Sequence, residues 1–369
     1  MNDQQYGIGQ LSDLKPVDAP ELPYLPKNPE HYNPGIGLIG CGGISEHHLG
    51  VYQKAGYRVL ALCDIDEAKA RQRAQAFYPN ADVYTDAQAV LERDDIEVVD
   101  LAVHPPERRA MLSDALKAGK HVLSQKPFVH DLDFGEEMVA LAREQKCKLA
   151  VNQNGRWAPH FSYIRQAIQQ GYLGEVASVH MTVDWDHGWT ADTPFNRIKH
   201  LILYDFAVHW FDMVSCLLAD HSAEQVFARV AHTTTQRPDP PMLAQATLQF
   251  DRAQASLAFN GDTRFAQQDR TMIVGAQGTA VSIGPDLLNQ QVSLATEKGI
   301  ATPTLKGHWF ENGFHGAMAE LLCAIEEDRE PYHNAADNLR SLALCFAAVQ
   351  SAETGQPQIP GSVRQLPKA

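Results

Sequence analysis

A few polar residues stand in otherwise apolar surroundings, and their types suit proton transfer. In LILYDFAVHWFDMVSCLLA, residues 201–219, Asp205, His209 and Asp212 fall at i, i+4 and i+7 of a helical pattern. Phe206, Trp210, Met213, Val214 and Leu217 form its apolar stripe. A carboxylate and an imidazole are costly to bury unless paired, so Asp205 is expected to accept a hydrogen bond from His209 one turn on. That pairing would fix the ring and raise its basicity, and an imidazole near its ordinary pKa suits general acid–base work. A solvated face or a satisfied core histidine is the alternative. Lys126 ends the apolar run HVLS in QKPF, residues 125–128, and so puts an ammonium at the rim of a strand.

The elements that must position these groups follow from periodicity. From residue 35, short apolar runs alternate with helical segments: IGLIG, ISEHHLGVYQKAG, RVLALCD, EAKARQRAQAF, EVVDLAV, ERRAMLSDALKAG and KHVLS. Strands and helices at this spacing specify a doubly wound parallel sheet covered on both faces, ending near Asn154. Past Gly171 the period becomes two. In VASVHMTVDWDH, Val179, Met181, Val183 and Trp185 share one face and His180, Thr182, Asp184 and Asp186 the other. Later runs repeat that period, and GFHGAMAELLCAIEEDR and NLRSLALCFAAVQSAETG read as amphipathic helices. The expected division is a proline-rich arm over 1–34, an α/β dinucleotide-binding domain over 35–154, and an α+β domain over 155–369. The last would carry a large, mainly antiparallel sheet with one face open, for substrate binding and oligomerisation. The arm, with Pro16, Pro20, Pro23, Pro26, Pro29 and Pro34, should be extended, either as a surface tail or clasping a partner subunit.

In GLIGCGGIS, Gly40, Gly42 and Gly43 lie between the first strand and its helix. Glycines there let backbone N–H groups approach a pyrophosphate, which a helix N-terminus then favours. Ser45 stands where a third glycine would complete the usual fingerprint. Asp64 follows 24 residues after Gly40, at the end of RVLALCD. A carboxylate there accepts hydrogen bonds from the adenosine ribose and repels a 2′-phosphate, which favours NAD over NADP; a plain helix N-cap is the alternative.

The chain's 369 residues, 44% hydrophobic, suffice for two cores, and its net charge of −14 opposes a phosphate-backbone binder. Cys41, Cys63, Cys147, Cys216, Cys323 and Cys345 are dispersed without a CxxC pair, so they are expected to be reduced, and no metal site is expected. A polar N-terminus and the lack of any 18-residue apolar run point to a cytoplasmic protein without membrane contact.

Taken in order, these motifs resemble the glucose-fructose oxidoreductase and inositol dehydrogenase (Gfo/Idh/MocA) family over roughly residues 35–360. The matches are GCGGIS, ALKAGKHVLSQKP for the family's AL-x-AGKHVL-x-EKP, GYLGEV, DFAVHWFD for D-x3-H-x2-D, and SAETGQP. The resemblance implies an NAD-dependent oxidoreductase with Lys126 at the nicotinamide, His209 as proton carrier and Asp205 as its orienting carboxylate. Two departures stand out: Gln125 replaces the family's Glu before the lysine, and HLILY, residues 200–204, replaces a Gly-rich approach. The expected cofactor set is Gly40, Gly42, Gly43, Ile44, Asp64, His104, Gln125 and Lys126.

The expected reaction is hydride transfer between a secondary hydroxyl of a sugar, sugar acid or cyclitol and nicotinamide. The substrate candidates are Arg156, Trp157, Trp185, Asn196 and His315, with Trp189 and Trp309 offering the same indole faces and His160, His187, Arg197 and Lys199 as further polar candidates. Flat indoles suit the C–H face of a ring, although tryptophans are commonly core. An NAD-recycling glycoside hydrolase and a non-enzymatic sugar sensor are the alternatives. An uncovered sheet with apolar positions implies a homodimer or homotetramer built on its open face.

Overall fold

The computed structural model describes residues 14–366. Six strands, β1 (Gly35–Ile39), β2 (Arg58–Cys63), β3 (Asp82–Tyr84), β4 (Val98–Leu101), β5 (His121–Gln125) and β6 (Leu149–Asn152), form a parallel sheet in the order β3-β2-β1-β4-β5-β6. Helices α1 (Ser45–Ala55), α2 (Glu67–Phe77), α3 (Ala87–Leu91), α4 (Pro105–Lys117) and α5 (Leu132–Glu144) connect them. The strands read as continuous apolar runs because both faces are covered, as parallel sheets require. Ile36, Leu38 and Leu123 pack with Leu49 and Tyr52 of α1, while Ile39, Val99 and Leu101 pack with residues of α4 and α5.

After α6 (Pro159–Gln169), eight strands build the second sheet: β7 (Val176–Asp184), β8 (Ala223–Ala231), β9 (Leu243–Phe250), β10 (Gln254–Asn260), β11 (Gln268–Gly275), β12 (Gly278–Gly284), β13 (Gln291–Thr296) and β14 (Gly299–Ala301). Their order is β14-β13-β12-β11-β7-β10-β9-β8, and only β7 and β10 run parallel. The alternation holds: Val179, Met181 and Val183 are buried, in one cluster with residues of α7 (Val208–Leu217) and α9 (Ala335–Thr354). The opposite face carries His180, Thr182 and Ser256, with Met272 and Val274 beside them. The remaining helix, α8 (Trp309–Glu326), packs on the first sheet.

The arm is extended where it is described, and it lies along its own chain. Lys15 and Val17 exchange backbone hydrogen bonds with Ile300 of β14, and Tyr163 donates to the Pro20 carbonyl at 3.0 Å. Further on, the Glu326 carboxylate accepts the N–H groups of Glu30, His31 and Tyr32 at 2.9, 2.6 and 2.8 Å. The arm therefore straps the edge of one sheet to the start of the other. Its first 13 residues fall outside the described residues.

The largest departure lies in 201–219. The expected single helix is a π-helical turn, Leu201–Phe206, followed by α7. The Ala207 N–H reaches back five residues to the Ile202 carbonyl at 2.8 Å. A π turn adds a residue per turn, so spacing argued at 3.6 residues fails across it.

Candidate active site

The glycine turn is shaped for close approach. Gly40 has φ of 102°, and a Cβ there would come within 2.7 Å of the Ala102 carbonyl oxygen. At Gly42 and Gly43 a Cβ would meet nothing within 4 Å, which leaves space above the N-terminus of α1. Ser45 is part of the turn: its Oγ donates to the Gly42 carbonyl at 2.6 Å and accepts from Arg73 at 3.2 Å. Asp64 is pinned at the end of β2, its two oxygens accepting the Cys41 N–H at 2.8 Å and the Asp66 N–H at 2.9 Å. An open backbone turn at a helix start, with a fixed carboxylate at the next strand end, fits a dinucleotide.

At the carboxyl end of β5 a cleft of about 660 Å³ opens beside Ile44, His104, Gln125, Lys126, Tyr204 and Asp205. This is the crevice where doubly wound sheets bind ligands. Lys126 donates to the Asp205 carbonyl oxygen at 3.0 Å, and its Nζ lies 3.6 Å from the Asp205 carboxylate. The Gln125 side chain, in place of a second charge, accepts the Lys126 N–H at 2.8 Å.

Arg108 of α4 was not foreseen. Its guanidinium is 1% exposed, meets no carboxylate, and donates to the carbonyls of Val103, Gln125, Pro127 and Phe128 and to Ser124 Oγ. It thus ties both flanks of Lys126 to the β4–α4 loop. Burial pulls its pKa down to about 10. Its signal in sequence was only an arginine in the first turn of a helix.

His209 and Asp205 do not meet as expected. The π turn carries Asp205 toward Lys126, while His209, one residue into α7, keeps a buried Nδ1 with no protein partner. Burial first, and the Lys126 cation second, hold the His209 pKa well below 6.5, so its ring is neutral. The ring stands edge-on to Trp309, with centroids 5.7 Å apart.

Asp212, the third residue of the seam, is saturated by Arg156, whose Nε and Nη2 donate to it at 2.7 Å. This corrects Arg156 as a substrate residue: it is 1% exposed, and its other donors go to Asp337 and the Tyr332 carbonyl. Trp157 is likewise core, edge-on to His333 at 4.8 Å. His315 lies under the arm, bonded to Asn28 at 2.6 Å, and Asn196 exchanges hydrogen bonds with Asp239. None of these four lines the cleft. Trp185 stacks edge-on against Trp210, 5.5 Å away, and neither indole N–H has a protein partner. His187 stacks on Phe206 at 4.3 Å, and Trp189 is exposed. Trp309 is buried and donates to Asn154 at 3.0 Å. Arg197 and Lys199 line the cleft, Lys199 paired with Glu353 at 2.8 Å.

A Rossmann sheet with this turn, an acidic strand end and a lysine at the crevice defines an NAD-binding oxidoreductase. Sequence models agree: one described as an oxidoreductase family with an NAD-binding Rossmann fold matches residues 35–153, and the Gfo/Idh/MocA C-terminal domain matches 161–281. The chain belongs to the Gfo/Idh/MocA family. It is 25% identical over 346 residues to a D-apiose dehydrogenase of Paraburkholderia graminis, covering 86% of this chain and 88% of that one. With an inositol 2-dehydrogenase of Rhizobium meliloti it shares 25% identity over 325 residues, 86% of this chain and 96% of the relative. An Agrobacterium radiobacter oxidoreductase solved with NAD+, L-tartaric acid and magnesium shares the fold at a TM-score of 0.80 and 21% identity, over 89% of this chain and 99% of the other. No described helix is long and apolar enough to cross a membrane.

Proposed function

We propose that the protein interconverts a secondary alcohol of a sugar or cyclitol with the corresponding ketone, with His209 as the proton carrier and Lys126 as the electrostatic partner. The observation that carries this reading is a neutral, half-buried imidazole close to a lysine whose ammonium lines the dinucleotide cleft. When bound, NAD supplies the hydride acceptor. His209 would take the hydroxyl proton, as a neutral ring must to act as a base. Lys126 would hydrogen-bond the same oxygen and stabilise negative charge developing there. In the reverse direction the two groups protonate and polarise a ketone. Relatives named for apiose and inositol support polyhydroxylated substrates.

The test is NADH formation at 340 nm across free sugars, sugar acids and cyclitols, with NADH binding measured in parallel. Turnover retained in His209→Ala would remove His209 from its role. NADH binding without turnover on any sugar would favour a sensor. Two copies pairing over the open sheet face is the assembly we infer, and a monomer mass by light scattering at micromolar concentration would exclude it.

A further inference from the structure

The cleft at Lys126 has two unlike walls. On the side of the parallel sheet, two of its acids stand at helix starts: Glu107 in the first turn of α4, and Asp131, which caps α5 by accepting the N–H groups of Asp133 and Phe134 at 3.0 and 3.3 Å. A helix N-terminus favours a carboxylate, so both are held where they are. The opposite wall comes from 195–200, between β7 and α7, and its charged side chains are Arg197 and Lys199.

Three Lys and Arg side chains line this cleft, and two are compensated. Lys126 lies 3.6 Å from the Asp205 carboxylate, and Lys199 lies 2.8 Å from that of Glu353. Arg197 is exposed, and among the described residues its side chain has no hydrogen bond and no ion pair. Its neighbours fix where it sits. Phe195 lines the same cleft and packs on Phe206, with ring centroids 6.3 Å apart, and Phe206 follows the Asp205 that pairs with Lys126. Asn196 exchanges hydrogen bonds with Asp239 at 2.7 and 2.8 Å. An uncompensated guanidinium thus stands on an anchored turn, at the wall of the same space that Lys126 lines.

A ligand that fills this space takes water from the guanidinium. A carboxylate returns a charge and two acceptors that match the fork, whereas a hydroxyl returns one acceptor and no charge. A phosphate monoester brings roughly −1.5 to −2 charges, which one free cation matches less well than the single charge of a carboxylate. Phe195 beside it offers a flat apolar face to the C–H groups of a ring. We propose that Arg197 determines substrate specificity by holding the carboxylate of an acidic sugar, a uronic or aldonic acid, while a hydroxyl of the same molecule lies at Lys126. The proposal rests on the oxidoreductase reading above and narrows its substrates to sugar acids.

The experiment is calorimetric titration of the NADH-loaded protein with glucuronate, galacturonate, gluconate, glucose and glucose 6-phosphate, for wild type, Arg197→Ala and Arg197→Lys. Arg197 is exposed and bonds to no described residue, so its replacement should leave the melting temperature unchanged. At least one of the three acids should bind about tenfold more tightly than glucose, the usual worth of hydrogen bonds to a charged group. Arg197→Ala should abolish that advantage. Arg197→Lys, which keeps the charge without the fork, should retain part of it, with NADH and glucose affinity held in both variants. The proposal is overturned if no acid outbinds glucose, if the advantage survives Arg197→Ala, or if glucose 6-phosphate outbinds every acid. A parallel loss of NADH affinity in Arg197→Ala also overturns it, by assigning the guanidinium to the dinucleotide. Turnover separates this from the parent reading. An acid advantage that depends on Arg197, without NADH formation from any sugar, sugar acid or cyclitol, upholds the carboxylate site and rejects the oxidoreductase role; NADH formation from a neutral sugar, at a kcat/KM unmoved by Arg197→Ala and above that of every acid, does the reverse.

Discussion

Replacing Asp64 with alanine should narrow a preference for NADH over NADPH, and the geometry bounds the effect. Both carboxylate oxygens are fixed by backbone N–H groups at 2.8 and 2.9 Å, so the side chain cannot swing away from a 2′-phosphate. A phosphate monoester carries roughly −1.5 to −2 charges at neutral pH. At about 4 Å, each unit of charge costs about 1 kcal/mol in bulk water and about 4 kcal/mol at an effective dielectric of 20. Asp64 is half-buried, between those limits. A penalty of about 2–5 kcal/mol after screening corresponds to roughly 30-fold to several thousand-fold in Kd. Salt should shrink it, since the Debye length falls to about 3 Å at 1 M. Arg73, whose Nη2 donates to the Gly42 carbonyl at 3.3 Å, remains in the variant and would help admit the phosphate. Fluorescence titration with both reduced dinucleotides at two salt concentrations reads all of this. Equal Kd values in the wild type, or a ratio unmoved in Asp64→Ala, would refute the assignment.

His209→Ala should lower kcat by about 100-fold or more with NADH affinity retained, the usual worth of a general base. Because burial and Lys126 hold the His209 pKa well below 6.5, the acid limb of kcat/KM should also lie below pH 6.5 and move upward in Lys126→Ala, measured as a pH–rate profile. Asp205→Asn should give an intermediate loss and push that limb lower still, because Lys126 would lose its counter-charge; a limb that rises would show that Asp205 acts otherwise. Arg108→Lys keeps the charge but not the fork, so turnover should fall about tenfold or more while NADH binding and melting temperature hold; parallel loss of all three would make Arg108 merely structural. Burial raises the Asp269 carboxyl to about 7, with one oxygen unpartnered. The folded state then keeps a proton that the unfolded chain releases from about pH 4, so stability should fall as pH rises to 7, by up to about 4 kcal/mol. Asp269→Asn should remove that slope between melting curves at pH 5 and pH 8.

Much of this was legible because it is local. Strand and helix periods gave both sheets, and the glycine turn, Asp64 and Lys126 each sit at a strand end that its own neighbours in sequence define. What failed depends on distant partners or on a change of helical period. Arg156 looked available because Asp212 and Asp337, which occupy it, lie 56 and 181 residues away. The partners of Arg108 are backbone carbonyls, which leave no side-chain pattern to read. Around Asp205 the residues are apolar on every side, so nothing in their spacing distinguishes a π turn from an α-helix.

That π turn changes the chemistry as well as the geometry. An Asp205–His209 pair would have stabilised an imidazolium and made the ring a stronger base. Instead the carboxylate stands 3.6 Å from the Lys126 ammonium, and the neutral ring is left beside a compensated ion pair. Lys126, Asp205 and His209 together then carry no net charge before the proton moves and one positive charge after it. A buried imidazolium near an ammonium is unfavourable, and without Asp205 the same step would run from one positive charge to two. If His209 carries the proton as proposed, Asp205 supports it through the lysine, without touching it. In the reducing direction of the proposed reaction, the same lowered pKa makes the protonated ring a stronger acid toward a ketone oxygen, at the expense of its strength as a base toward an alcohol.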